Sequence, residues 1–322
     1  MQHIRFGRCE QRVSAIGLGT WAYGGPKTAG RREVGWSGHD ENAARQALLK
    51  AFALGIDHWD TADAYGNGQS EELIGGVWGE VPREKIFLAS KVGWEPGPYG
   101  HAYDPRMIRE RAERSLELLR TDWIDLYYFH HCDFGPQDRY LAVAIETLLQ
   151  LRSEGKIRFL GLSDWSSRKL VRVAREMDPD AVQVYRNVVD DDYATSGLNA
   201  WVEENDVGVA FFSPLKHGLL LGKYDQPVTF EKGDMRNGIP GFNNGEVLAQ
   251  LRAVKDELHA RFDSHPQPVL QAVTGALLTD SPSASVLVGQ RSPAQVAAAA
   301  TLGEPLSPED AAWVSEIYSA CF

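Results

Sequence analysis

From residue 15 onward the chain repeats one pattern eight times: a short apolar run, then a stretch with helical periodicity. The apolar runs fall at 15–19, 56–59, 85–89, 123–129, 157–162, 181–184, 207–212 and 285–288. Helices are expected at 40–54, 70–78, 104–119, 139–152, 166–176, 198–204, 246–262, 268–279, 293–300 and 308–320. Asp40 and Ser70 stand as N-caps, and Pro293 sits in a first helical turn where its missing N–H costs nothing. Strands separated by helices can pair in parallel, and eight such units in one chain point to a (β/α)₈ TIM barrel. A doubly wound sheet is the alternative. Segments 3–8 and 12–16 alternate around a turn and read as an N-terminal β-hairpin across the barrel's bottom, with extra helices at the C-terminal end.

At 322 residues the chain has room for one barrel or two average domains. It contains no Pro/Ser-rich linker and no low-complexity segment, so residues 1–322 are expected to form a single domain. The net charge of -11 lacks the basic footprint of a nucleic-acid partner. Cys9, Cys132 and Cys321 are too dispersed for a zinc site or a disulfide framework, which favours a reducing compartment. The N-terminal residues lack a signal-peptide core, and no run reaches the ~18 apolar residues of a membrane helix. These features suggest a cytoplasmic protein.

Residues Gly17 to Ala22 match the G-x-G-x-x-A dinucleotide fingerprint. That fingerprint requires a helix directly after the turn, and Tyr23-Gly24-Gly25-Pro26 does not start one. The chemistry is expected elsewhere, at the C-terminal ends of the barrel strands. Asp60, Ser90-Lys91, His130, Ser163-Asp164, Gln183 and Ser213 end successive apolar runs, and Tyr65 follows Asp60 on its loop. A free phenol has a pKa of about 10, and a neighbouring ammonium lowers it. Lys91 held by Asp60 is therefore expected to tune Tyr65 as an acid, with His130 orienting a carbonyl oxygen. Ser163, Asp164 and Gln183 have the groups to hold a carboxamide, which suggests a nicotinamide and a hydride acceptor.

Together these residues carry a resemblance to the aldo-keto reductase superfamily over nearly the whole chain. The matching segments are Asp60-Thr61-Ala62-Asp63-Ala64-Tyr65-Gly66, Ser70-Glu71-Glu72, Ser90-Lys91, Ile124 to His130, Lys156 to Ser163 and Ser213-Pro214-Leu215, extended by Gly218 to Tyr224. The resemblance implies NADPH-dependent reduction of aldehydes or ketones, sugar-like ones among them, with a catalytic tetrad of Asp60, Tyr65, Lys91 and His130. It implies NADP(H) as cofactor, with NAD(H) left open, and a small-molecule carbonyl or alcohol as substrate. Cofactor contacts are implied at Thr20, Trp21, Ser163, Asp164, Gln183, Phe212, Ser213, Pro214, Leu215, Gly218, Lys223, Arg236, Gly289, Arg291 and Gln295. Asp234, Pro240 and Phe242 resemble a loop that folds over the cofactor, and Arg291 is the candidate for a 2′-phosphate.

Two departures stand out. Asp164 replaces an Asn frequent beside that Ser, and a carboxylate accepts from an amide NH₂ but does not donate to its oxygen. Ala298-Ala299 stand where the family often has Glu-Asn near the adenine. Trp21, Tyr23, Trp94 and Trp165 follow strand ends and either line a substrate pocket or pack. His130, His131, Cys132 and Asp133 do not suit a metal, because neighbours on a strand face opposite ways. Three roles suit a complete tetrad: a reductase, a sugar or alcohol dehydrogenase working oxidatively, and a cofactor-binding regulator like the potassium-channel β subunits.

Overall fold

The structure is a computed structural model and describes residues 1–29 and 32–322. In chain order it contains β1 (His3–Arg5), β2 (Arg12–Ser14), β3 (Ile16–Gly19), the two-residue strands β4 (Thr28–Ala29) and β5 (Arg32–Glu33), α1 (Glu41–Ala53), β6 (His58–Asp60), α2 (Gln69–Gly75), β7 (Phe87–Val92), α3 (Pro105–Leu118), β8 (Ile124–Phe129) and α4 (Leu141–Ser153). It continues with β9 (Ile157–Asp164), α5 (Ser167–Met177), β10 (Ala181–Tyr185), α6 (Asp192–Thr195), α7 (Leu198–Glu204), β11 (Gly208–Phe212), α8 (Gly245–Arg261), α9 (Pro268–Thr279), β12 (Ala284–Gly289), α10 (Pro293–Ala299) and α11 (Pro308–Ser319).

Strands β3, β6, β7, β8, β9, β10, β11 and β12 pair in that order, and β12 closes on β3. All pairs are parallel. The expected barrel is therefore present, and the doubly wound sheet is excluded by the closure. β1 and β2 form the antiparallel hairpin. Phe6 and Val13 from this hairpin pack with Phe87, Leu126 and Ala181, near the N-terminal ends of the barrel strands, and so plug the bottom. A larger apolar cluster between strands and helices holds Ile16, Trp59, Leu88, Ile124, Leu162 and Phe211. No helix among the described residues is long and apolar enough to cross a membrane.

Local chemistry explains most element ends. Asp40, Asp104, Ser166 and Ser307 each accept a backbone N–H in the first turn of the helix they precede. Ser70 does not do this. It lies inside α2, preceded by a 3₁₀ turn over Tyr65–Gly68, and Gly68 holds the cap position with φ 98°. The Ser70 hydroxyl instead donates to Thr20 Oγ1 at 2.7 Å and accepts from Thr61 Oγ1 at 2.9 Å, tying the ends of β3 and β6 to the helix.

Two strands run further than their apolar residues indicate. β7 includes Ser90 and Lys91, and β9 includes Ser163 and Asp164. Polar side chains occupy these positions because the barrel top has partners for them, so hydrophobicity alone underestimates the strand length. Inside the barrel, Gly161 pairs with Tyr128. A Cβ at Gly161 would lie 2.2 Å from the Tyr128 ring, so the missing side chain makes room for that ring.

Candidate active site

The four tetrad residues arrive from three neighbouring strands and one loop. Asp60 is the last residue of β6, Lys91 lies within β7, and His130 follows directly after β8. Tyr65 begins the 3₁₀ turn after β6. That turn is held against a second one, Trp21–Gly24, by close backbone contact: a Cβ on Gly24 would lie 2.3 Å from Gly66 N. Gly66 itself has φ 63°. The contact sets Trp21 over Tyr65, with ring centroids 6.0 Å apart and planes within 18°.

Lys91 is the hub of the cluster. Its Nζ donates to Asp60 Oδ1 at 2.7 Å, to the Thr61 carbonyl at 2.7 Å and to Tyr65 Oη at 3.2 Å. The second oxygen of Asp60 accepts from Gln183 Nε2 at 2.7 Å. Asp60 and Lys91 are both buried, so their charges survive only as a pair. Burial pushes the Asp60 carboxyl up, and Lys91 and Gln183 pull it back part of the way. Burial also works against the Lys91 ammonium, but Asp60 and Tyr65 more than offset it and hold its pKa above the usual lysine value.

Tyr65 differs from the sequence expectation. Burial raises its pKa above the ordinary phenol value, and the Lys91 ammonium only partly reverses this. The phenol is therefore fully protonated at neutral pH. Lys91 pulls the phenol toward phenolate, but burial outweighs it. His130 has its pKa driven well below the usual imidazole value by burial, with Lys91 adding to the effect, so it is neutral. Its ring lies 6.0 Å from that of Tyr65 and 5.2 Å from that of Trp94.

Two further acids stand behind the Tyr65 turn. Ser90 Oγ donates to Glu71 Oε1 at 2.7 Å. Burial and the nearby Asp63 push Glu71 up to about 7. Burial likewise raises Asp63 to about 6, and Arg111 at 3.9 Å opposes the rise. The Ser70-Glu71-Glu72 and Ser90-Lys91 matches thus meet in space, with Glu71 gripping the strand that carries Lys91.

Two connected cavities open at this end of the barrel. The first, of about 530 Å³, is walled by Trp21, Val34, Ala64, Tyr65, Trp94, His130, Ser163, Trp165, Gln183 and Phe212. The second is a longer cleft of about 990 Å³, which shares Trp21, Tyr65 and Phe212 with the first. Its walls include Thr20, Asp60, Ser213, Pro214, Leu215, Gly218, Lys223, Arg236, Gly289, Arg291 and Gln295. Ser213 has φ 57° and Gly218 φ 89°, a backbone that folds the segment after β11 around the cleft. Arg236 is locked by Asp234, its Nε donating to Oδ1 at 2.9 Å, and Arg291 Nη1 donates to the Ser37 carbonyl at 2.8 Å. Gln295 Oε1 accepts from the Arg291 backbone N–H at 2.9 Å.

Several candidates lie elsewhere, Asp234 among them, which is fully buried beside Arg236. Tyr23 is fully buried, and its hydroxyl donates to the Gln290 carbonyl at 2.8 Å, so it packs in the core and is not among the walls of either cavity. Asp164 faces away from the cavity that its neighbour Ser163 lines. Its two oxygens accept from Cys132 N at 2.7 Å and Ser166 N at 2.8 Å. Phe242 is buried against Tyr224 and Phe230, with centroids 5.5 and 5.0 Å away. The structure adds Trp36, His217 and Leu221 to the cleft walls. Trp36 and His217 sit on irregular segments where no periodicity marks a direction.

The sequence profile of the Aldo/keto reductase family matches residues 15–319. Aldo-keto reductase YhdN of Bacillus subtilis is 32% identical over 92% of this chain and 88% of its own length. The NADH-specific methylglyoxal reductase of Escherichia coli is 28% identical, with 99% of both chains covered. Among solved structures, a glycerol dehydrogenase from Gluconobacter oxydans superposes with a TM-score of 0.79 at 28% identity, covering 99% of this chain and 95% of that one. The chain therefore belongs to the aldo/keto reductase family, oxidoreductases that act on carbonyl and alcohol groups.

Proposed function

We propose that this protein reduces aldehydes or ketones with a reduced nicotinamide dinucleotide, Tyr65 donating the proton. The observation that carries the reading is the contact of Lys91 Nζ with both Asp60 and Tyr65 at the mouth of a cleft whose far end is basic. The cofactor supplies hydride; every other function falls to the chain. Ser163 and Gln183 line the first cavity and suit the carboxamide, although Gln183 also holds Asp60. Phe212, on the wall shared by both cavities, suits a stack on the nicotinamide, and the turn from Ser213 to Gly218 suits the pyrophosphate. Neutral His130 orients the carbonyl oxygen toward the Tyr65 hydroxyl. Trp21, Trp94 and Trp165 wall the substrate side.

The expected result is loss of reduced-nicotinamide absorbance when the protein is mixed with NADPH and a panel of small aldehydes, ketones and open-chain sugars. A chain that binds NADPH and turns over no carbonyl, and oxidises no alcohol with the oxidised cofactor, would leave the regulatory role instead. Oxidation without measurable reduction would assign the dehydrogenase direction.

NADP(H) is proposed over NAD(H) because Arg291 lines the cleft and offers a guanidinium to a phosphate monoester. The relative named as NADH-specific keeps the alternative in view. Arg291→Ala is expected to weaken NADPH binding by roughly tenfold or more, the loss of one charge-assisted hydrogen bond of about 1.5–3 kcal/mol, and to leave NADH binding nearly unchanged. Fluorescence titration with both cofactors checks this. Equal affinities in the wild type, unaltered in the variant, would remove Arg291 from the role.

A further inference from the structure

His217 lies within the turn proposed above for the pyrophosphate, no proton-transfer role has been given to it, and its setting is unusual for an imidazole. It lies in the 3₁₀ turn Lys216–Leu221 with a left-handed backbone, φ 60°. It is 8% exposed, yet it lines the long cleft beside Ser213, Lys223 and Arg236. Trp165, Trp21, Trp36 and Tyr185 surround it, with ring centroids 5.8, 5.9, 6.2 and 6.5 Å away. Among the described residues no hydrogen bond engages either of its ring nitrogens, and neither nitrogen is sealed from the cleft. With both nitrogens open to the cleft and no partner from the chain, the imidazole is free to bond a ligand group there.

The charges facing His217 come from several segments. Lys216 on its own turn is paired with Asp190, which also accepts from the Tyr185 hydroxyl on β10 at 2.9 Å. Arg236, from the loop before α8, is paired with Asp234. Burial is the main cause that holds the imidazole down to about 4, with Lys216 and Arg236 adding to it and the two carboxylates offsetting only part. His217 is thus neutral in the free protein at physiological pH.

We propose that His217 is a proton-linked contact for the dinucleotide: the cofactor's phosphates enter the cleft that His217 lines, and the imidazole takes up a proton from solvent as they arrive. The inference rests on the cofactor reading proposed above. An opposite charge within about 4–6 Å raises a pKa by about 1–3 units, which would carry His217 from about 4 into the range of about 5 to 7. A group with a higher pKa in the complex binds a proton on association, so affinity rises as pH falls through the bound pKa and levels off below the free one.

The test is calorimetric titration with NADP⁺ in pairs of buffers that differ in ionisation enthalpy, across roughly pH 5.5 to 8, spanning that window. The slope against buffer enthalpy counts protons and needs no turnover. The 2′-phosphate titrates near pH 6 as well, so the quantity to read is the difference between wild type and His217→Asn. Asparagine tolerates the left-handed backbone and has no proton to take up. His217→Gln is read alongside as a second non-titrating variant. Near pH 6 the wild type is expected to take up roughly half a proton more than either variant, and its Kd to rise roughly twofold more between about pH 6 and pH 8. Equal proton counts and parallel Kd profiles in wild type and variants would overturn the assignment while leaving the cofactor reading intact. Absence of NADP⁺ binding at every pH in the wild type would overturn both.

Discussion

Replacing Tyr65 by phenylalanine is expected to lower the rate of carbonyl reduction by on the order of 10²- to 10⁴-fold, the usual worth of a positioned general acid. The substitution keeps the ring that stacks under Trp21 and removes only the hydroxyl that Lys91 contacts at 3.2 Å. Cofactor affinity should change little, because the Ser213 to Gly218 segment and the basic end of the cleft, not that hydroxyl, carry the proposed contacts to the dinucleotide. Stopped-flow single-turnover rates together with a fluorescence Kd separate the two effects. Near wild-type reduction by a Tyr65→Phe protein that still binds NADPH would end the assignment. Because burial holds the Tyr65 pKa up, the acid form persists across the neutral range. The wild-type rate is therefore not expected to fall through titration of this phenol between about pH 6 and 8.

Lys91→Met should be damaging in two separable ways. For catalysis it removes the ammonium that would stabilise phenolate as the proton leaves Tyr65, so the loss should resemble that of Tyr65→Phe, and the double variant should be little worse than either single one. For stability it strands Asp60, which is buried and keeps only its bond from Gln183 at 2.7 Å. Breaking a buried pair by removing one partner costs about 3–5 kcal/mol. Denaturant unfolding should show this as a lower midpoint with an unchanged slope. Adding Asp60→Asn to Lys91→Met neutralises the stranded charge and should recover much of the stability but none of the activity. A Lys91→Met protein as stable as wild type would mean that Asp60 is already neutral in the fold.

The buried carboxyls behind the site bear on the same question. Asp63 and Glu71 have pKa values raised to about 6 and about 7, and they face Arg111 and Ser90 respectively. A carboxyl whose folded pKa lies above its unfolded value binds its proton more tightly in the fold. It therefore contributes stability at low pH, which is lost as pH rises through the folded pKa. Together the two are expected to weaken the fold as pH rises from about 4 through about 7, which the pH dependence of the denaturant midpoint checks.

The alternation of apolar runs and helical stretches pointed to the barrel, and the closure of β12 on β3 excluded the doubly wound sheet that the same alternation allows. Parallel pairing needs a crossover after every strand, and eight such units close on themselves. The residues at the strand ends were equally legible, because a polar group directly after a buried run at the top of a barrel has few other places to go. Asp60, Lys91 and Tyr65 meet as their spacing suggested. Tertiary structure decided which way individual side chains turned and what each one met. Ser163 faces the cavity and Asp164 does not, since neighbours on a strand point to opposite faces and the sequence carries no label for inside. Tyr23 went into the core because the Gln290 carbonyl was there to take its hydroxyl. The protonation of Tyr65 also depended on the fold: the neighbouring Lys91 was visible in the chain, but the burial that outweighs it exists only once the barrel closes around both.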